Sequence, residues 1–358
     1  MGFVVIMAGG RGERFWPRST MEMPKQFHRI VSSRTMLQEA FCRVYPEFGK
    51  DEIFIVAGES FKRIILEQIG EIDEKNLIVE PFGRDTAPAI ALAATYLSKI
   101  DPDANMMVLT ADHLVEPKDR FLKSVEIAEK VADDGYLVTF GIKPDRPATE
   151  YGYIELGERI MDSYGGNVYR VKMFREKPDL KTAEEFLKNG RFLWNSGMFC
   201  FKVSVIMDAF SRYMPELYAG LTEISDAIGT DAEKSVIERN FKKFPKISID
   251  YGVMEKADKI ACIMPEFAWD DVGSWVALER HKKKDPTGSI IEGNVLQVDS
   301  KNNIVLNDDE SIIGIIGVED MIIVKERDRI LICPKRRSQD IKALIKRMSE
   351  HEKFRGFM

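Results

Sequence analysis

Short apolar runs recur through the first third of the chain, at residues 3–7, 53–56, 76–79 and 106–110. They are rich in Val, Ile and Leu and lack polar alternation, as expected of strands buried on both faces. Between them, apolar positions return at helical spacing over residues 36–44, 61–69 and 87–97. A further helix at 120–132 leads to a strand at 136–140. Strand–helix alternation of this kind predicts an α/β fold, a largely parallel sheet with helices on both faces. Ligands of such sheets sit at the carboxyl ends of the strands.

The middle of the chain is mixed. The pattern predicts strands at 168–174, 198–201 and 260–264, and helices at 180–188, 205–213, 233–240 and 274–284. At Asp285-Pro286-Thr287-Gly288 the character changes. Short β-like runs follow at 290–291, 295–298, 304–306, 312–316, 321–324 and 330–333, separated by Asn, Asp and Gly turns. A basic amphipathic helix at about 339–348 closes the chain. The expected organisation is a domain at residues 1–285 and a small β-rich module at 286–358. Ile341, Leu344, Ile345 and Met348 fall on one face of the closing helix and need a cover. A homodimer formed through this module would supply it.

Composition narrows the class. The 358 residues are 44% hydrophobic and 31% charged, which excludes disorder as a whole-chain reading. Fifty-two Lys and Arg face 58 Asp and Glu, a net charge of −6. A polybasic nucleic-acid binder or membrane-surface protein leans the other way, so neither nucleic acid nor membrane is an expected partner. No apolar run approaches the roughly 20 residues that span a bilayer. The apolar start stops at Gly9-Gly10 and lacks the basic flank of a signal peptide. Cys42, Cys200, Cys262 and Cys333 are scattered, which points to a reducing cytoplasm rather than a disulfide framework or zinc site.

The chemistry begins just after the first strand. Met7-Ala8-Gly9-Gly10-Arg11-Gly12-Glu13-Arg14 is followed by Met23-Pro24-Lys25-Gln26. Glycines let the backbone turn tightly and bring its N–H groups to an anion. Arg11 and Arg14 add fixed positive charge for phosphates. The segment is not a P-loop, because GxxxxGK[ST] is absent, and Phe15 replaces the last glycine of G-x-G-x-x-G.

In combination these residues resemble the signature of the sugar-1-phosphate nucleotidyltransferases. Further segments narrow the resemblance to the mannose-1-phosphate guanylyltransferases. They are Glu80-Pro81-Phe82-Gly83-Arg84-Asp85-Thr86-Ala87-Pro88-Ala89, Thr110-Ala111-Asp112-His113, Glu176-Lys177-Pro178, Trp194-Asn195-Ser196-Gly197-Met198-Phe199, Ile249-Asp250-Tyr251-Gly252-Val253-Met254-Glu255-Lys256 and Trp269-Asp270-Asp271-Val272-Gly273-Ser274-Trp275. They occur in the family's order across residues 7–275.

The resemblance implies a Rossmann-like nucleotidyltransferase domain with a mixed, mostly parallel sheet. It also implies a C-terminal left-handed β-helix-like module, the alternative being a small irregular sheet. The activity implied is transfer of GMP from GTP to mannose 1-phosphate, with Mg2+ as cofactor and release of pyrophosphate. Catalytic roles then fall to Arg11, Lys25 and Lys177, and nucleotide binding to Ala8, Gly9, Gly10, Gly12, Arg14, Gly83, Arg84 and Asp85. The sugar phosphate falls to Gly152, Glu176, Lys177, Asn195 and Asp250, and the metal to Asp112 and Asp271. A carboxylate among phosphates makes sense chiefly as a magnesium ligand. An attacking phosphate oxygen is already ionised, so His113 reads as an orienting or structural group rather than a base.

Several alternatives stay open. Asp85, where the family commonly has Asn, and Asp250 both suit helix N-caps. Trp194 and Phe199 read as core. Asp270 is expected to face away from Asp271, because neighbours in an extended segment point to opposite sides, and its substitution should be mild. Rival functions are another hexose-1-phosphate nucleotidyltransferase and a silent nucleotide-sensing homologue. The latter should lack some of Lys25, Asp112, Lys177 and Asp271, all of which are present. Some bacterial relatives carry an appended, His-rich isomerase domain. Residues 286–358 contain only His351, so no isomerase activity is expected.

Overall fold

The computed structural model describes residues 2–160 and 164–358. The chain forms two compact units, each drawn from separated segments. The first is Met1–Gly9, Ala40–Ala111 and Val115–Trp269; the second is Gly10–Glu39, Asp112–Leu114 and Asp270–Met358. The expected division at residue 286 follows the change in strand content, whereas the compact unit around the C-terminal strands also takes in Gly10–Glu39.

Along the chain come β1 (Phe3–Met7), β2 (Ile53–Gly58), β3 (Leu77–Glu80), β4 (Asn105–Thr110) and the short β5 (Leu114–Glu116). Then follow β6 (Leu137–Ile142), β7 (Tyr153–Arg159), β8 (Val168–Arg175), β9 (Phe192–Lys202), β10 (Ile260–Ile263) and the short β11 (Ala268–Asp270). The helices over this stretch are α1 (Met36–Val44), α2 (Lys62–Gln68), α3 (Thr86–Ser98), α4 (Lys118–Asp133), α5 (Leu180–Asn189), α6 (Val203–Tyr213), α7 (Pro215–Ala227) and α8 (Glu233–Lys243).

The first unit is built on a nine-stranded sheet of order β3-β2-β1-β4-β9-β6-β10-β8-β7. The β3-β2-β1-β4 part is parallel. β9 runs antiparallel to β4 and β6, and β10 is parallel to β6. Strand order reverses between β1 and β4, the kind of switch point at which α/β sheets bind ligands. The chain leaves the sheet there at Gly9, after β1, and at Ala111, after β4. Val4, Val5 and Ile6 are fully buried, as a central parallel strand requires. α3 is buried almost all round, including Ala87, Ala91, Ala93 and Ala94. A helix apolar on every side belongs inside a core.

The second unit carries β12 (Ile290–Glu292), β13 (Val295–Val298), β14 (Ile304–Asn307), β15 (Ile313–Ile316), β16 (Met321–Glu326), β17 (Arg329–Pro334) and α9 (Ile341–Ser349). From β12 to β16 successive strands alternate between a sheet of order β12-β14-β16-β17 and a pair β13-β15, and β17 then returns antiparallel along β16. Ile290, Ile304 and Ile322 stack in parallel register from coil to coil, as in a β-helix. The corners use residues that accept left-handed backbone, among them Asn302 (φ 52°) and Asp320 (φ 56°). Asn303 is fully buried, donating to the Val318 carbonyl and accepting from the Met321 amide. One core runs from Phe15, Trp16, Ile30 and Met36 through Val272 and Trp275 to Ile304, Ile322, Val324, Ile341 and Ile345. Ile341 and Ile345 of the closing helix are buried in this core and Met348 packs against it, whereas Leu344 of the same face is exposed.

Several elements differ from expectation, among them the unexpected strands β5, β7 and β11. Residues 274–284 form a short 3-10 helix, Trp275–Arg280, in place of an α-helix. Its buried Trp275 and Leu278 lie three apart, which suits a three-residue turn. α7 opens with Pro215 at its first turn and buries Leu217, Leu221 and Ile224. β9 begins at Phe192, so the Trp194–Phe199 motif lies within a strand that Gly197 (φ 70°) bends.

Candidate active site

In the second unit the glycine loop and the Lys25 segment meet. Gly12 has φ 58°, and a Cβ there would lie 2.3 Å from Lys25 Cβ. Only glycine satisfies both the left-handed turn and the close approach. Lys25 is buried, 3% exposed. Its Nζ donates to the Asp112 carbonyl at 2.8 Å, the Asp271 carbonyl at 2.8 Å and Asp112 Oδ2 at 3.1 Å. The Phe15 ring lies 5.5 Å from the same ammonium. The expected meeting of Asp112 and Asp271 thus has a lysine between its chain segments. Burial pushes the Asp112 carboxyl up, but the Lys25 and His113 charges outweigh it and hold it below its ordinary pKa. His113 Nε2 stands 3.8 Å from Asp112 Oδ1, consistent with an orienting role.

Arg11 is exposed, and its carbonyl accepts from Ser19 Oγ at 2.6 Å. Arg14 donates to Gln339 Oε1 at 3.0 Å. Gly10 takes φ 94° and its carbonyl accepts from Gln26.

Asp270 ends β11, and the chain turns irregularly after it, with Val272 at φ 43° and its amide bonded to Asp270 Oδ1. Asp270 is tied into the fold rather than left in solvent. Its buried carboxylate accepts from Arg280 Nε (2.5 Å), Arg280 Nη2 (2.7 Å) and the Val272 amide (2.8 Å), and pairs with His281 Nε2 (2.7 Å). Burial opposes its charge, but His281 and Arg280 dominate and hold its pKa far below the carboxylate range. Asp270 fixes the turn that presents the Asp271 carbonyl to Lys25.

A second cluster lies wholly in the first unit. Glu176 and Lys177 follow β8, and Lys177 takes φ 43°. Lys177 Nζ donates to Glu176 Oε1 at 2.7 Å, and the Glu176 amide donates to Glu255 Oε1 at 2.9 Å. Burial works against the Lys177 charge, yet the Glu176 carboxylate keeps its pKa raised. A Cβ on Gly152 would fall 2.4 Å from Glu176 Oε2, so glycine there makes room for the carboxylate. The Gly152 carbonyl also accepts the Asn195 amide at 2.8 Å.

Asn195 Nδ2 donates to Asp250 Oδ1 at 2.9 Å, and Asn195 Oδ1 accepts from Thr139 at 2.9 Å. Asp250 opens a π-type turn, Asp250–Met254, but its carboxylate takes the Asn195 amide instead of capping that turn. Burial first, then the Glu176 charge, raises the Asp250 carboxyl to about 7. Trp194 and Phe199 are buried, as expected of core.

The Glu80–Ala89 segment divides in use. Asp85 caps α3, accepting from the Thr86 amide at 2.8 Å, in a strained backbone at φ 70°. Arg84 donates to the Phe241 and Lys242 carbonyls at the end of α8 and stacks on Phe82. Gly83 is exposed and borders open space. Ala8 is buried, its amide donating to the Val56 carbonyl.

Sequence reasoning missed Glu80. It is buried, and its Oε2 has no hydrogen-bond partner. Its Oε1 lies 3.6 Å from where a Gly9 Cβ would stand. Burial first, then Asp85, raises its carboxyl to about 7. Buried carboxyl oxygens without a partner are rare in folded proteins. Only the glutamate's place at the head of a quoted motif could have signalled it.

The sheet, its switch point and the two clusters define the class. Residues 3–288 match the family model described as Nucleotidyl transferase, and residues 293–348 match the MannoseP isomerase/GMP-like beta-helix domain. A mannose-1-phosphate guanylyltransferase of Klebsiella pneumoniae is 37% identical over 98% of this chain and 74% of its own length. One of Escherichia coli is 36% identical over the same shares. A solved structure titled mannose-1-phosphate geranyltransferase, from Thermus thermophilus, is 32% identical. Its TM-score is 0.86, over 97% of this chain and 99% of that one. The chain is thus a nucleotidyltransferase by class, and it belongs to the mannose-1-phosphate guanylyltransferase family.

Proposed function

We propose that the chain makes GDP-mannose by transferring GMP from GTP to mannose 1-phosphate, releasing pyrophosphate. The observation that carries this reading is the pairing of chemistries on one chain. One cluster holds a buried ammonium among carboxylate and carbonyl oxygens; the other holds a lysine on the Glu176 carboxylate, near a buried Asn195–Asp250 pair. Two polyanions must approach, so positioned cations do most of the work. Lys25 and Arg11 serve the triphosphate and its departing pyrophosphate. Lys177 takes the sugar phosphate, and Glu176, Asn195 and Asp250 take sugar hydroxyls. Glu80 suits guanine, whose N1–H and exocyclic amine are both donors. No base is required, since the attacking phosphate oxygen is already ionised.

A divalent cation fits the second unit, because three oxygens there already surround a positive group, the Lys25 ammonium. The Asp112 and Asp271 carboxylates would hold it, and hard oxygen donors suit Mg2+. When bound it would lessen repulsion between phosphates. A cytoplasmic location accords with four free cysteines, and no helix of the described residues is long and apolar enough to cross a membrane. A homodimer accords with exposed Leu296, Ile316 and Ile332 on the C-terminal strands. The decisive assay is pyrophosphate release across four nucleoside triphosphates and several hexose 1-phosphates. A preference for dTTP or UTP with glucose 1-phosphate would overturn the reading.

A further inference from the structure

Lys25 has no donor left to give. An ammonium carries three N–H groups, and all three have acceptors: the Asp112 carbonyl, the Asp271 carbonyl and Asp112 Oδ2. A lysine so saturated cannot also donate to a phosphate. To serve the triphosphate it must release one acceptor. The two carbonyl contacts are short, at 2.8 Å, and are fixed by the main chain. The carboxylate contact is longest, at 3.1 Å, and belongs to a side chain with 37% of its surface exposed. Asp112 is therefore the partner given up. That same carboxylate is the metal's first candidate ligand, and a divalent ion cannot share its oxygen with an ammonium without strong repulsion.

We propose that Lys25 and the divalent cation are alternative partners of the Asp112 carboxylate, exchanged when nucleotide phosphate draws the ammonium away. Before nucleotide arrives, Lys25 neutralises Asp112 and keeps it from free metal. The arriving phosphate takes the N–H that Asp112 loses, and the carboxylate becomes available to the ion. Nucleotide and metal then favour each other's binding by the same factor, as linkage requires. Gly12 belongs to this arrangement, since its missing side chain lets the Lys25 stem lie where the ammonium can reach both carbonyls. The proposal rests on reading Asp112 as a metal ligand.

The test is Mn2+ binding to the full chain without nucleotide, followed by electron paramagnetic resonance. Lys25→Met should bind Mn2+ about tenfold tighter than the parent, on the scale of one displaced charge-assisted bond. Adding Asp112→Asn to Lys25→Met should abolish that gain. Mn2+ binding to Lys25→Met no tighter than to the parent, including none to either, overturns the exchange. A gain that survives Asp112→Asn overturns the reading of Asp112 itself. Crystals of the unmodified chain soaked in Mn2+ and α,β-methylene-GTP give an independent answer if Lys25→Met does not fold. Manganese on Asp112 with Lys25 Nζ moved to phosphate supports the exchange. Manganese on Asp112 with Nζ still on Oδ2 overturns it, and manganese held by phosphates alone removes its premise.

Discussion

Replacing Asp270 with alanine should damage both stability and turnover, although the residue touches no substrate. Its carboxylate is buried and holds Arg280 by two bonds, His281 by one and the Val272 amide by another. Breaking a buried ion pair from one side costs about 3–5 kcal/mol. Arg280 is 44% exposed and can turn to water, which reduces its share to about 1 kcal/mol. The Val272 amide has no such recourse, because Val272 is fully buried. Losing a charged acceptor there costs about 1.5–3 kcal/mol. That bond also helps hold a β-branched residue at φ 43°, a conformation that carries about 1–3 kcal/mol of strain. The expected total is about 3 kcal/mol, and the thermal melt of the 358-residue chain should fall by about 4 °C. Asp270→Asn keeps an acceptor for Val272 and should lose about half as much. Because the same turn aims the Asp271 carbonyl at Lys25, kcat should fall at temperatures where the variant is still folded. An alanine variant melting within about 1 °C of the parent with unchanged kcat would refute the reasoning.

Gly12→Ala forces a Cβ to within 2.3 Å of Lys25 Cβ at φ 58°; circular dichroism should stay native while kcat falls at least about tenfold, on the scale of a misplaced charge-assisted contact. Gly152→Ala pushes on Glu176 Oε2, and should raise KM for mannose 1-phosphate without moving KM for GTP, as steady-state kinetics would show. Glu80 has a folded pKa raised to about 7, so its stabilising share is complete below about pH 4.5 and disappears as pH rises through 7. Urea unfolding should show Glu80→Gln flattening that decline by about 2–3 kcal/mol, leaving a decline of the same sign that Asp250 contributes up to about pH 7.

The parallel strands were legible because burial on both faces leaves unbroken apolar runs, as in Val4, Val5 and Ile6. The C-terminal strands were legible because Asn, Asp and Gly mark each corner of the coil. β7 was not, since Glu155, Gly157 and Glu158 interrupt its apolar pattern even though it pairs with both β8 and β9. Within the site, motif order named Lys25, Asp112 and Asp271, which the structure brings together, and Glu176, Lys177, Asn195 and Asp250, which it also groups; Arg14, Arg84 and Asp85 make other contacts. What motifs could not show is how charges are shared. Nothing in the spacing of Lys25 and Asp112 announces that one neutralises the other. Nor does spacing show that Asp270 is tied to Arg280, His281 and the Val272 amide, since those contacts depend on the conformation at Val272. Glu80 escaped because a lone glutamate looks alike whether solvated or orphaned in a core.

The second unit's discontinuity has a consequence for the order in which the protein is made. Phe15, Trp16, Ile30 and Met36 leave the ribosome early, yet the core they join also contains Val272, Trp275, Ile304, Ile322 and Ile345. Until those later residues emerge, the early apolar side chains have no native surface to bury against. The glycine loop and Lys25 are thus translated first and completed last. A nascent chain stalled before Asp270 lacks the carbonyl that Lys25 requires, so nucleotide-handling competence should arrive only with synthesis of the final quarter of the polypeptide.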